Sequence, residues 1–224
     1  VGASGYNYIS TNNGSSWSTG GRLSSTTFQD GHNGRAYYYI QSLYGVAFGN
    51  STFVAVGDVG KIVRSTDNGA NWSHVTTGYA SNSGNNYKAS LNGINNLRGV
   101  SFGNNTFVAV GYSGKIITST DDGSSWDNET AVNSNNLYGV TFGNSTFVAV
   151  GSNGTIVKST NNGASWSSSS SGTSETLFGV TFGNNTFMAV GNSGTIVKST
   201  DNGANWSSSS SGTTNNLYGV AFGD

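Results

Sequence analysis

The chain has 224 residues, enough for one all-β domain of ordinary size, with 34% hydrophobic and only 8% charged side chains. Its formal net charge of −1 leaves no electrostatic footprint for nucleic acid or an anionic membrane, so neither is expected as a partner. Cys is absent, which excludes disulfides and thiolate chemistry, and no apolar run approaches the ~20 residues that cross a bilayer.

Low charge with abundant Ser and Asn is also the composition of disordered segments. Here 5 Trp, 11 Tyr and 11 Phe recur at fixed spacings, which implies a thin core repeated many times over. In chain order, Val1 to Thr11 aligns with Val150 to Thr160, so the chain opens at the end of a second strand. Val1 is not an initiator Met, and the sequence reads as a mature form or a fragment. A turn ending in Trp17 follows, then a long insertion over 18–42 before the next copy. Repeat copies begin at Leu43, Leu97, Leu137 and Leu177, the last two almost residue for residue alike with a period of 40, and a partial copy begins at Leu217.

Within the copy from Leu137, turn signals separate four short apolar segments. These are Leu137 to Phe142, Thr146 to Val150, Thr155 to Thr160, and a fourth opened by Trp166. Four strands per repeat of about 40 residues is the pattern of a propeller blade, and no helical period appears.

The third turn recurs five times with one pattern. It reads Ser10-Thr-Asn12-Asn-Gly14-Ser-Ser-Trp17, and its counterparts start at Ser65, Ser119, Ser159 and Ser199 and end at Trp72, Trp126, Trp166 and Trp206. Asp67, Asp121 and Asp201 hold the third position, with Asn12 and Asn161 in the other two copies. A short carboxylate or amide accepts hydrogen bonds from turn amides, Gly admits a positive φ, and Trp supplies a large ring to bury. The turn resembles the Asp-box (bacterial neuraminidase repeat) signature, S-x-D-x-G-x-x-W. That resemblance implies one domain over 1–224, a β-propeller of five four-stranded blades. The final Leu217–Asp224 segment is then expected to pair with the N-terminal blade and close the ring. About five residues of that blade are missing, so either it lacks most of a strand or the chain is trimmed from a longer one.

The Asp-box fold hosts sialidases, lectin-like binders, sorting receptors and assembly factors, so it does not itself assign a function. In that family the boxes lie on the face away from the active site. The variable part of the sequence is therefore the informative one. From Trp to the next first-strand Leu the spacing is 11 residues for 126 to 137, 166 to 177 and 206 to 217, but 26 for 17 to 43 and 25 for 72 to 97. Two adjacent blades thus carry insertions, loops 18–42 and 73–96, on the face opposite the boxes. The candidate ligand-binding residues are Arg22, Phe28, Asp30, His32, Arg35 and Tyr37 on the first loop, and Tyr79, Tyr87 and Lys88 on the second. Arg98 joins them because it stands where the other copies have Tyr44, Tyr138, Phe178 and Tyr218, positions that would line pockets between blades. Ring faces cover apolar sugar C–H surface while Arg or Asp fixes orientation by paired hydrogen bonds.

Tyr37 and Tyr39 alternate as in an extra strand. His32 and His74 have no metal-ligand spacing, no carboxylate cluster has calcium-loop spacing, and no cofactor is expected. Lys61, Lys115, Lys158, Lys198 and Arg64 fall on third strands and read as solvated or edge-protecting charges. The resulting expectation is a non-catalytic recognition module at an extracellular, cell or virion surface, binding a glycan or surface glycoprotein. Its sequons, such as Asn50 to Thr52, would accept glycans in a secretory pathway. The alternatives are a self-associating subunit of a surface fibre or filament and a sialidase-type glycosidase. The last is disfavoured because only Glu129 and Glu175 exist, neither has a Tyr partner in sequence, and Pro is absent.

Overall fold

The structure, a computed structural model, describes residues 6–10, 15–22, 26–29, 36–39, 42–75, 96–129 and 132–223. All of its regular structure is β, apart from single 3₁₀ turns. β1 (Tyr6–Ile9) and β2 (Ser18–Arg22) form a two-stranded sheet, as do β3 (Thr26–Gln29) and β4 (Ala36–Tyr39). Four antiparallel four-stranded sheets follow, each a consecutive meander. The first holds β5 (Leu43–Gly49), β6 (Thr52–Gly57), β7 (Ile62–Ser65) and β8 (Ser73–His74). The second holds β9 (Leu97–Gly103), β10 (Thr106–Gly111), β11 (Ile116–Ser119) and β12 (Asp127–Asn128). The third holds β13 (Leu137–Gly143), β14 (Thr146–Gly151), β15 (Ile156–Ser159) and β16 (Ser167–Ser169). The fourth holds β17 (Leu177–Gly183), β18 (Thr186–Gly191), β19 (Ile196–Ser199) and β20 (Ser207–Ser209).

The second strand of each sheet reads as a continuous apolar run because both of its faces are covered. In β14, Phe147 and Ala149 pack with Val108, Val110 and Ile116 of the sheet before. Val148 and Val150 turn the other way, towards Leu177, Phe187 and Ala189 of the sheet after. The alternating pleat thus joins the third blade to both its neighbours, and the core is a chain of such seams rather than one central mass.

Glycine fixes how closely the seams approach. A Cβ on Gly143 would stand 2.0 Å from the Phe182 ring of the following blade, and Gly49 and Gly103 meet Phe102 and Phe142 in the same way. The L-x-G-V-x-F-G segment therefore encodes both halves of the contact, a ring and the gap that receives it.

The third turn is built largely from its own side chains. Around Asp201, the Ser199 hydroxyl and the Asn205 backbone N–H donate to Oδ1 at 2.8 and 2.9 Å, and the Asn205 amide donates to Oδ2 at 2.7 Å. These bonds, the Asn205 backbone N–H foremost, hold the Asp201 carboxyl at about 2. Asn161 reproduces the acceptor role, taking Ser159 Oγ–H at 2.9 Å and the Ser165 N–H at 3.0 Å. The Trp rings of these turns reach the preceding blade, where Trp126 is buried among Val54, Val56 and Ile62.

Two expectations are corrected here. Four four-stranded blades form, not five, and no closed ring is made among the described residues. Leu217–Gly223 does lie beside β17, with Phe222 over Gly183 and the Tyr218 carbonyl 3.1 Å from a Cβ placed on Gly179. Its Leu217 N–H donates to the Gly191 carbonyl at 2.9 Å, but the segment joins none of the sheets among the described residues. Trp17 differs accordingly: among the described residues no blade packs over it and it is 63% exposed, whereas Trp126 is buried.

Candidate functional site

The first strand of every blade carries the same irregularity. Leu137 pairs with Gly151 and Gly139 with Val150, so Tyr138 between them has no partner and forms a bulge. The same skip leaves Tyr44, Arg98 and Phe178 unpaired in β5, β9 and β17. A bulge re-aims its side chain out of the pleat, and repetition of the bulge brings these side chains together from successive blades. The Tyr138 and Phe178 rings lie 5.6 Å apart and those of Phe178 and Tyr218 5.1 Å apart. Tyr112 meets Tyr138 edge-on at 6.2 Å. The Arg98 guanidinium carbon lies 4.0 Å from the Tyr44 ring centroid and 5.4 Å from that of Tyr112. Tyr44, Arg98, Tyr112, Tyr138, Phe178 and Tyr218 thus form one row across the blades.

The row is most elaborate where the two insertions return to the blades. The turn Asp58–Gly60 between β6 and β7 ties down both stems. Asp58 accepts the Ser42 backbone N–H on Oδ2 at 2.9 Å and the Tyr44 hydroxyl on Oδ1 at 2.7 Å. Its neighbour Val59 donates its backbone N–H to Asn96 Oδ1 at 2.9 Å. Desolvation, and then the Asp58 carboxylate, raise the Tyr44 phenol above its ordinary value, so Tyr44 stays a neutral donor at physiological pH. Val59 sits at φ 56, ψ 37, in the left-handed region that a β-branched residue strongly resists. The equivalent positions Ser113, Asn153 and Ser193 adopt the same angles with side chains better suited to them.

The expected site residues are placed unevenly. Asp30, His32, Arg35, Tyr79, Tyr87 and Lys88 lie outside the described residues. Arg22 ends β2, Phe28 pairs with Tyr37 across the β3–β4 hairpin, and their side chains lie outside what is described. The strand expected around Tyr37 and Tyr39 is formed, as β4. Arg98 is in place and brought into contact with Tyr44.

Sequence reading missed Asp58 and Tyr112. The signal was available, since the first position of the second-to-third turn reads Asp58, Tyr112, Ser152 and Asn192, and the neutral small residue gives way to a charge and to a ring in the two blades that follow insertions. The third-strand charges also need correction. Lys61 is only 8% exposed, and burial pushes its amine down to about 8. Its Nζ lies 3.0 Å from His74 Nε2, and burial followed by the Lys61 charge lowers the His74 ring. Lys115 reaches Asn128 Oδ1, and Arg64 Nε is buried without a hydrogen-bond partner. Lys158 is half-buried, and of these charges Lys198 alone is exposed as expected.

A second kind of surface lies on the outer strands. A groove beside β16 is lined by Asn133, Asn153, Thr155, Ser169, Ser171 and Thr173, and its counterpart beside β20 by Ser209, Ser211 and Thr213. Hydroxyl and amide groups dominate both.

No protein-family model and no curated protein matches the chain. Among solved structures, it is similar to YCF48 bound to D1 peptide, at 18% identity over 92% of this chain and 61% of that one, with a TM-score of 0.62. It is similar to a structure of a nidogen/laminin complex at 13% identity over 84% of this chain and 73% of that one, TM-score 0.60. A glycoside hydrolase of the GH74 kind from Niastella koreensis aligns at 20% identity over 90% of this chain and 29% of the enzyme, TM-score 0.50. The chain spans about three fifths of the YCF48 chain and under a third of the glycosidase. At such identities the likeness is one of fold, and the fold is that of a β-propeller.

Proposed function

We propose that the chain is a non-catalytic recognition module that binds a segment of a protein partner across the face bearing loops 18–42 and 73–96. The observation that carries this reading is the bulge row, which presents Tyr44, Arg98, Tyr112, Tyr138, Phe178 and Tyr218 side by side where both insertions rejoin the blades. Rings that already pack on one another offer edges and one open side, which suits an extended polypeptide better than a sugar, whose C–H face needs a free ring face. Support of a weaker kind comes from the fold neighbours, two of which are described with a peptide or a protein partner. The kinship of the Ser-Thr-Asp turn to the Asp-box, and a location at a cell or virion surface, belong to the same proposal. Glycosidase chemistry gains little, since Glu129 accepts the Thr118 hydroxyl at 2.9 Å on the third and fourth strands of its own blade.

A carbohydrate ligand is the second reading, favoured by the hydroxyl- and amide-lined grooves repeated beside β16 and β20. One experiment separates the two. The purified chain is panned against a displayed random-peptide library and probed on a glycan array, with Tyr138→Ala and Phe178→Ala as comparators of checked stability. Saturable peptide binding weakened by these substitutions supports the row. Glycan binding indifferent to them supports the grooves, and silence in both formats overturns recognition altogether.

A further inference from the structure

The node at the head of the bulge row has a chemistry of its own. Arg98 is the only cation in the row, and its guanidinium carbon stands at stacking distance, 4.0 Å, from the Tyr44 ring. Stacking occupies a face of the planar guanidinium and leaves its N–H edge for an acceptor. Among the described residues no carboxylate or other acceptor engages that edge, although Asp58 stands close by. Asp58 is committed elsewhere, to the Ser42 N–H and the Tyr44 hydroxyl, so it orients the ring on which Arg98 lies. Tyr112, on Arg98's own blade, stands 5.4 Å from the same guanidinium. The backbone beneath is held in a costly conformation at Val59, whose N–H is bonded to the stem of the second insertion at Asn96. Strain of this kind persists where surrounding contacts over-determine a position, and here those contacts anchor both insertions around one guanidinium.

We infer that Arg98, stacked on Tyr44 and flanked by Tyr112, is a receptor for a carboxylate group of the bound polypeptide. This rests on the recognition reading above and sharpens it: the partner segment presents an acidic side chain or a free C-terminus at the node, while its apolar side chains lie along Tyr138, Phe178 and Tyr218. Recognition is bidentate, through two parallel N–H···O bonds from the guanidinium edge, which a lysine cannot reproduce.

The test uses small carboxylates as probes, read by NMR on the Arg98 Nε–H signal of the isotope-labelled chain. N-acetylphenylalanine stands for a chain terminus, N-acetylglutamate α-amide for an acidic side chain, and methyl glucuronide for a sugar acid. N-acetylphenylalanine amide is the neutral control. The expected result is a saturable shift with one or both peptide-type carboxylates and at least about tenfold weaker binding of the amide. Arg98→Gln abolishes the shift of the Tyr44 and Tyr112 ring signals, and Arg98→Lys, which keeps the charge, weakens binding about tenfold. Equal affinity for acid and amide, preference for the glucuronide, or an Arg98→Gln variant that titrates like the wild type overturns the inference. The recognition reading fails separately: peptides selected by panning that still bind the folded Arg98→Gln variant leave it standing while removing the carboxylate.

Discussion

The same seven-residue segment occupies two different environments in this molecule, and the contrast shows what turns the repeat into structure. In the interior blades, Phe102, Phe142 and Phe182 lodge against Gly49, Gly103 and Gly143 of the blade before. In the first blade, the identical Phe48 covers no such glycine among the described residues and is 53% exposed, with Val46 exposed beside it. Both settings have the same strands and the same pairing within the blade. What differs is the seam, so apolar burial here comes from blade stacking and not from blade formation.

The sharpest way to break this comparison is to remove one ring in each setting. Phe147 is fully buried between the second and third blades, and Phe147→Ala is expected to cost about 3–5 kcal/mol in thermal or denaturant unfolding. Phe48→Ala removes a ring that water already reaches, and it is expected to cost less than about 1 kcal/mol. Comparable losses for the two would mean that the outer face of the first blade is covered in solution.

Glycines give a finer version of the same test. A methyl on Gly143 would stand 2.0 Å from the Phe182 ring, and the ring cannot yield without opening the seam. Gly143→Ala is expected to destabilise by about 1–3 kcal/mol. Gly223 occupies the same place in its copy but has nothing within 4 Å of the added atom, so Gly223→Ala is expected to stay within about 0.5 kcal/mol of wild type. Urea midpoints of the pair decide it.

The turns allow the opposite experiment, a gain. Val59 holds a left-handed conformation that Asn153 adopts in the third blade. Replacing the valine by the third blade's residue, Val59→Asn, is expected to stabilise by about 1 kcal/mol. It should also leave the Asn96 contact intact, because that bond uses the Val59 backbone N–H. A loss of stability on this substitution would show that the valine side chain holds the insertions through packing.

Much of the fold was legible because its determinants are local and repeated. The T-F-V-A-V run, the Gly-Asn turn and the Trp at the fourth strand recur in register, and the expected segments of the copy from Leu137 agree with β13 to β16 to within two residues. Blade number was not legible, because it depends on whether a first strand finds a second one to pair with, which the motif count does not record. For the site, Arg98 could be found by its departure from Tyr44, Tyr138 and Phe178. Its stacking partner could not be anticipated, because the bulge that aims the side chain is a register skip set by the turn that follows β10. Lys61 misled for a related reason. Its sequence position looks like that of the exposed Lys198, three residues further on in its own repeat, but it precedes the third strand and its amine lies against His74 of β8.

That burial provides the smallest effect and the most specific to the first blade. In the folded chain Lys61 titrates near 8, well below the ordinary lysine value of 10.5 that applies once it is unfolded. Between these values the unfolded chain binds a proton that the folded chain has released, so stability rises with pH across that window. Below 8 both states carry the charge and the full burial cost is present. Lys61→Thr installs the residue of the third and fourth blades, Thr155 and Thr195. Lys115 is shifted in the same direction by burial and remains in both proteins, and His74 is neutral above pH 8, so subtracting one stability profile from the other isolates Lys61 from there upward. The difference is expected to be largest below pH 8 in favour of the threonine and to shrink by pH 10.5. A flat difference across that range would mean that the Lys61 amine is solvated in the folded chain, and that the first blade is as open there as it is at Phe48.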